Sequence, residues 1–302
     1  MSGERGKMQE LVSVLMSTFN ENIKELNQSV SSILNQTYKN IEFIIINDNP
    51  VNMELDFFLN SIIDNRVRVL RNKKNVGLAN SLNRAISYAN GKYIARMDAD
   101  DVSISNRIEM QMAYLNKNKL DLVGSWINYM DEAGKAVNIA KFPIRQSYIE
   151  FFLKWGNCMP HPTWLGKKVV FEKLKYRNIP LCEDYDFICR CVNENYRLGN
   201  VNQVLLNYRV RDTSISNSNS EMQYIIRNYL FRNRIVDMEK LQHFLDSKVF
   251  RKELEMYKRY RQDKMMLKKS NCFCIIKVVA NKYAYKKLCE KIAIKLRAMM
   301  VD

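Results

Sequence analysis

Three carboxylates crowd into four residues at Asp98, Asp100 and Asp101, directly after the apolar-leaning run Tyr93–Met97. A buried strand that ends in acids delivers them to the place where open α/β sheets bind ligands, the carboxyl ends of the strands. Asp98 and Asp100 share one side of an extended chain, and a turn at Ala99 would still let both meet one cation. Hard divalent ions such as Mg2+ and Mn2+ take oxygen ligands, often one or two carboxylates completed by substrate phosphates. The plain alternative is an acidic loop capping the next helix. A second group of acids, Glu183, Asp184 and Asp186, opens a helical pattern whose apolar stripe is Phe187, Ile188, Cys191 and Val192. Acids suit a first helical turn because the helix dipole favours them there. His161 lies in a loop between Pro160 and Pro162.

The elements that must position these acids alternate. Leu11–Met16 reads as a first buried strand, with Asn20 as N-cap of a helix reaching Gln36. Ile41–Ile46 is a second strand, apolar on both faces as in a parallel sheet. A helix to about Asp64, a strand Arg66–Leu70 and a helix Leu78–Ala89 lead to the strand before Asp98. This is a doubly wound βαβ pattern, and its polar clusters, Thr18–Asn20, Asp48 and Asp98–Asp101, sit beyond strand ends. Ser103 or Ser105 is expected to cap the next helix, which carries Ile108, Met112 and Leu115. Leu120–Tyr129 and Ala136–Phe142 form a hairpin around Glu132–Lys135, so the second half of the sheet is mixed. Arg197–Val210 is strand-like, Asp212–Ser220 is a linker, and the chain from Glu221 onward is helical.

The chain has 302 residues, 47% hydrophobic and 26% charged, with a net charge of +16. Glu221–Asp302 holds 20 Lys and Arg against 9 Asp and Glu, so most of the excess belongs to the tail. That asymmetry points to an anionic partner there. Seven cysteines without a Cys-x-x-Cys pair, and only two histidines, speak against structural zinc or a disulfide framework and for reduced thiols. Met1–Glu10 is polar, so no signal peptide is expected. No apolar run approaches the roughly 18 residues of a membrane-spanning helix.

Seven ordered motifs together resemble the bacterial glycosyltransferases often called family 2. They are Val14–Asn20, Ile33–Tyr38, Ile44–Asp48, Asn75–Ala79, Arg96–Asp101, Glu183–Asp186 and Tyr208–Val210. The resemblance runs from about Leu11 to Ser216 and implies a GT-A fold, Rossmann-like with a mixed, mostly parallel sheet and flanking helices. It implies a catalytic domain over 1–216, its donor half at about 11–101 and its acceptor half at about 102–216, followed by a basic helical region over 217–302. Thr18, Phe19 and Asn20 would cradle the nucleoside through backbone groups. Asp48 would accept the uracil N3–H, and Asn75 would be a further donor residue. Asp98 would face the ribose, and Asp100 would hold Mn2+ or Mg2+ against the diphosphate, with Asp98 as a second candidate ligand. Asp184 would be the general base, supported by Glu183 and Tyr185. His161 and Tyr185 are acceptor-side candidates, though a structural histidine fits its loop as well. Asp186 reads as structural, because positions two apart on a helix point in different directions. The chain departs from the family in keeping one acid in Asn47-Asp48-Asn49-Pro50 and in placing Arg211 where relatives have His. Arg211 cannot bind a metal but suits a diphosphate clamp.

The implied activity is inverting transfer of a hexosyl or N-acetylhexosaminyl group from a UDP-sugar to a saccharide. The acceptor would be lipid-linked, in O-antigen or capsule synthesis. A relative acting on a protein or simple lipid is the enzyme alternative, and a sugar-nucleotide or nucleic-acid binding module the non-enzyme one. Leu267–Met300 interleaves apolar residues with lysines, which suits an amphipathic helix on an anionic membrane surface. The enzyme would then be cytoplasmic and peripheral on the inner face of the cell membrane. Packing of these helices on the catalytic domain, or an oligomer contact, is the alternative. No nucleic-acid partner is expected, since no binding motif accompanies the charge.

Overall fold

The computed structural model describes residues 9–211, 220–233, 237–267 and Tyr283. Its first half is the expected parallel unit. Strands β1 (Val12–Thr18), β2 (Ile41–Asn47), β3 (Val67–Arg71) and β4 (Tyr93–Arg96) are joined by helices α1 (Ile23–Leu34), α2 (Met53–Asn60) and α3 (Leu78–Tyr88). β1 lies between β2 and β4, with Val14 level with Phe43 on one side and Ala95 on the other. Such central strands are covered on both faces, which is why Val12, Val14, Phe43, Ile44 and Ala95 are all fully buried.

The second half contains β5 (Val102–Ser103), α4 (Arg107–Asn118), β6 (Leu122–Met130), β7 (Ala136–Ala140) and α5 (Gln146–Leu153). A 3-10 turn at His161–Thr163 leads to β8 (Leu165–Lys167), α6 (Lys168–Leu174), α7 (Glu183–Asn193) and β9 (Leu198–Arg209). The sheet order is β3-β2-β1-β4-β8-β6-β9-β5, with β7 paired to β6. β8 runs antiparallel to both β4 and β6 and so welds the two halves together. Buried Arg107 reinforces that seam, donating from Nη1 to the carbonyls of Arg96 (3.1 Å) and Pro162 (2.6 Å).

Three helix ends differ from expectation. Asn22, not Asn20, caps α1, accepting from Lys24 N at 2.9 Å. Asn20 is engaged elsewhere, its Oδ1 accepting from Asn49 Nδ2 at 2.6 Å. Neither Ser103 nor Ser105 caps α4, whose N-cap position is Asn106. Ser103 is in β5 with its hydroxyl bonded by Gln36, and the Ser105 carbonyl accepts from Thr37 N. α2 stops at Asn60 rather than Asp64, because the Asp64 carboxylate turns back to accept from Arg66 N.

After β9 come α8 (Ser220–Asn233), α9 (Met238–Asp246) and α10 (Lys248–Leu267). α8 buries Tyr224, Ile225, Ile226 and Leu230, and Gln223 donates to the Leu181 carbonyl just before α7. Tyr229 stacks on Phe244 at 3.9 Å and Tyr224 on Tyr257 at 4.6 Å, fastening α9 and α10 to α8. The linker at 212–219 and most of the amphipathic stretch Leu267–Met300 lie outside the described residues. Among the described residues no helix is long and apolar enough to cross a membrane.

Candidate active site

The loop after β4 carries Asp98, Asp100 and Asp101, and carboxylate oxygens of all three lie within 4.8 Å of one another. Arg96, the last residue of β4, pairs through Nη2 with Asp98 Oδ1. Burial, then the charge of Asp98, pushes the Asp100 carboxyl up to about 6. Asp101 is 1% exposed and raised well above the usual range by the same causes. Its Oδ1 accepts from Arg209 N at 2.8 Å, while its Oδ2 is buried without a hydrogen-bond partner. Crowded carboxylates that hold protons tightly, one with an orphaned oxygen, are what a hard divalent cation would relieve. The three residues therefore fit such an ion.

The ends of β1 and β2 close the donor side, but not through the groups expected. Thr18 is 1% exposed, and Glu21 Oε2 accepts from both Thr18 Oγ1 (2.6 Å) and Phe19 N (2.7 Å). The Phe19 carbonyl accepts from Asn49. The Thr18–Asn20 backbone is thus largely occupied by its own chain, and what it presents to solvent is the Phe19 ring, 39% exposed. Asp48 is 3% exposed and accepts from Asn72 Nδ2 (2.7 Å), Val76 N (3.0 Å) and Gly77 N (2.9 Å). A carboxylate offers about four lone-pair sites, so one is left for a ligand. Gly77 lies at φ +82°, which a side chain would strain, and this fixes the turn that carries exposed Asn75.

The end of β9 arrives on the other side of Asp100. Arg209 donates from Nε to the Asp100 carbonyl (2.9 Å), from Nη1 to the Glu132 carbonyl (3.0 Å) and from Nη2 to Gln28 Oε1 (3.0 Å). Arg211 pairs with Glu25 of α1 and lies 3.4 Å from Asp100 Oδ2. Arg211, expected as a diphosphate clamp, thus stands beside an acid of the triad.

Asp184 occupies the first turn of α7. Its Oδ2 accepts from Asn157 Nδ2 at 2.7 Å and its Oδ1 from Tyr185 N at 2.6 Å. Burial raises its pKa, and these two hydrogen bonds and the charge of Arg96 work against that rise. Burial, then the charge of Asp184, brings neighbouring Glu183 to about 7. The charge of Asp98 also raises Glu183, while that of Arg96 lowers both acids. The donor acids and the α7 acids therefore share one field, and the charge of buried Arg96 acts on both.

The two acceptor-side candidates lie in the interior. Tyr185 is 2% exposed and donates to the Leu153 carbonyl at 2.7 Å, because it points from α7 towards α5 and not towards Asp184. Its backbone N–H still helps to hold Asp184. His161 is buried, with Nε2 2.8 Å from Tyr176 Oη and its ring against Trp164, and burial drives its pKa well below the usual value. It is the structural histidine of the two readings. Asp186 is structural as expected, 2% exposed and paired with Arg177 and Arg190.

Sequence reasoning missed Arg96, Glu25 and Asn157. A charged residue inside an otherwise apolar strand was the available signal for Arg96, since buried charges need partners. Nothing local marks Glu25 or Asn157, which matter only through contacts far along the chain.

The sequence profile described as Glycosyl transferase family 2 matches residues 13–174. The O-antigen biosynthesis glycosyltransferase WbnJ of Escherichia coli is 34% identical over 246 residues, covering 78% of this chain and 95% of that protein. A second Escherichia coli relative is the UDP-Glc:alpha-D-GlcNAc-diphosphoundecaprenol beta-1,3-glucosyltransferase WfgD. It is 34% identical over 212 residues, covering 69% of this chain and 80% of that protein. Among solved structures, S. aureus TarS 1-349 in complex with UDP-GlcNAc superposes with a TM-score of 0.54 at 15% identity. The match covers 79% of this chain and 74% of that one, and it shows the shared GT-A fold. Ordered motifs, sheet topology and these likenesses agree: the chain belongs to glycosyltransferase family 2.

Proposed function

We propose that the enzyme moves a hexosyl or N-acetylhexosaminyl group from a UDP-sugar to a hydroxyl of a saccharide acceptor, with inversion at the anomeric carbon. The observation that carries this reading is the pairing of two acid clusters in one field. One is the cation-fitting triad Asp98, Asp100 and Asp101, and the other holds half-buried Asp184. TarS was solved with UDP-GlcNAc and WfgD is named for a UDP-Glc donor, and both support a uridine donor here. Asp48, with its remaining lone pair, would accept the uracil N3–H, which cytosine lacks. Asn75 and the Phe19 ring border the same side.

Asp100 and Asp101, with Asp98 as a further candidate, would hold Mn2+ or Mg2+ beside the donor diphosphate. When bound, such an ion supplies Lewis-acid stabilisation to the departing nucleoside diphosphate. Arg211 adds a guanidinium next to the same leaving group. Asp184, held by Asn157 and the Tyr185 amide, takes the proton of the acceptor hydroxyl as that oxygen attacks the anomeric carbon. A single base acting from the face opposite the leaving group gives inversion. Glu183, brought to about 7 by burial and then by the charge of Asp184, would support Asp184 as its neighbour in the same turn.

The acceptor we propose is a lipid-linked saccharide of a surface polysaccharide, as the names of WbnJ and WfgD support. The basic C-terminal region beyond the catalytic unit would bring the enzyme to an anionic inner membrane face. The test is calorimetric titration of a panel of nucleotide sugars with and without Mn2+, followed by donor hydrolysis. A Mn2+-dependent preference for one UDP-sugar is the expected result. Binding that ignores the base, or donors left intact under all conditions, would sink the reading.

A further inference from the structure

Two arginines leave the end of β9, and they differ in how tightly they are held. Arg209 is 2% exposed at its side chain, and its guanidinium is bound by the Asp100 and Glu132 carbonyls and by Gln28. Arg211 is 27% exposed at its side chain, and it is shared between two acids, Glu25 and Asp100. One guanidinium nitrogen, Nη2, makes the close pair with Glu25 Oε2 and sits 3.4 Å from Asp100 Oδ2. Positive charge therefore already stands on the carboxylate that the cation is expected to occupy. Two cations cannot share that oxygen without strong repulsion in a half-buried site. Glu25 is 16% exposed at its side chain and rises from the first turn of α1. It offers the guanidinium a second seat apart from Asp100.

Resting on the reading that a cation at Asp100 meets the donor diphosphate, we propose that Glu25 is a positioning residue that draws Arg211 off Asp100, freeing that carboxylate for the cation. Arg211 then remains beside the diphosphate as its second counter-charge. Glu25 acts through Arg211 and touches neither substrate nor cation. Glu25 Oε1 also lies 3.6 Å from Arg209 Nε, a contact that glutamine at this position can keep.

The experiment is calorimetric titration of the full-length protein with Mn2+ alone, then with UDP at saturating Mn2+. Arg211→Gln removes the competitor, so it should tighten Mn2+ binding while weakening UDP binding. Glu25→Gln leaves Arg211 on Asp100 and should loosen Mn2+ binding by about tenfold. The double variant should bind Mn2+ as tightly as Arg211→Gln alone, because Glu25 has no role once its partner is gone. A double variant as weak as Glu25→Gln would mean that Glu25 contributes only its negative charge, and it would overturn the proposal. So would an Arg211→Gln variant with unchanged or weaker Mn2+ affinity. If wild-type UDP affinity is the same in EDTA, Arg211 is a permanent substitute for the cation, and the exchange fails while the donor site stands. If the wild type binds neither Mn2+ nor UDP, the donor reading itself falls.

Discussion

The Asp98–Asp101 loop and the Glu183–Asp184 turn are both clusters of acids, and in each a pair, Asp100 with Asp101 and Glu183 with Asp184, holds protons more tightly than free carboxylates do. Burial is the largest cause in both, and they differ in what answers the charge. In the loop, three carboxylates are pressed together, and Arg96 at the end of β4 and Arg211 just past β9 lie against them. In the α7 turn, the hydrogen-bond partners of Asp184 are a neutral side-chain amide and a backbone N–H. The first arrangement concentrates negative charge for a multivalent cation. The second keeps one carboxylate desolvated and aimed, which suits proton transfer. The contrast fits the proposed division of labour between a cation site and a base.

The comparison can be broken most decisively at Asp184. Asp184→Asn keeps the shape but cannot take a proton, so transfer should fall by about 10²–10⁴-fold while UDP binding persists. Steady-state kinetics with calorimetry on the same sample checks this. Wild-type turnover would move the base out of the α7 turn. At the other cluster, Asp100→Ala should remove the Mn2+ dependence of UDP binding, since the triad loses one of its carboxylates. A variant that binds UDP and Mn2+ like the wild type would refute the cation role.

Asp48→Ala should weaken UDP binding by about 1.5–3 kcal/mol, the loss of one hydrogen bond to a charged group. The structure adds a second expectation. The 72–77 loop loses its shared acceptor, so the variant should also melt earlier than the wild type. Weakened binding with no change in melting would mean that the loop does not depend on Asp48.

A subtler test separates burial from charge crowding. The folded-state pKa of Glu183 is raised to about 7. Below the ordinary glutamate range the group is neutral in both states and contributes nothing. As pH rises towards about 7 the unfolded chain ionises first, the native state binds more protons, and stability declines. Glu183→Gln should remove that decline, so its melting temperature should gain on the wild type between pH 4.5 and 8. Parallel melting curves across that range would place Glu183 in a better solvated setting than the fold shows.

The smallest and most salt-sensitive effect belongs to the tail. Replacing Lys286, Lys287, Lys291 and Lys295 with Gln in the full chain should reduce co-sedimentation with anionic vesicles. Each lysine near such a surface contributes about 1 kcal/mol, screened beyond a Debye length of about 10 Å at 0.1 M salt. Sedimentation unchanged by these substitutions at low salt would leave the tail as a packing element.

The sequence by itself determined the parallel half of the sheet. Runs such as Val12–Met16 and Ile41–Ile46 are apolar on both faces, and only a strand covered on two sides can bury them. It also determined where the acids emerge, because Asp98 to Asp101 follow an apolar strand without a break. The loop roles expected of Thr18 and Phe19 were less legible, since backbone groups leave no trace in residue type. Only the tertiary structure decided that Glu21 takes those groups, that Tyr185 turns inward and that His161 is packed against Trp164. It alone set Arg211 between Glu25 and Asp100, residues 186 and 111 positions away along the chain. Periodicity reports which face of an element is buried, a local property of the chain. Which partner waits across that face depends on crossings between distant elements, and those exist only once the sheet has formed.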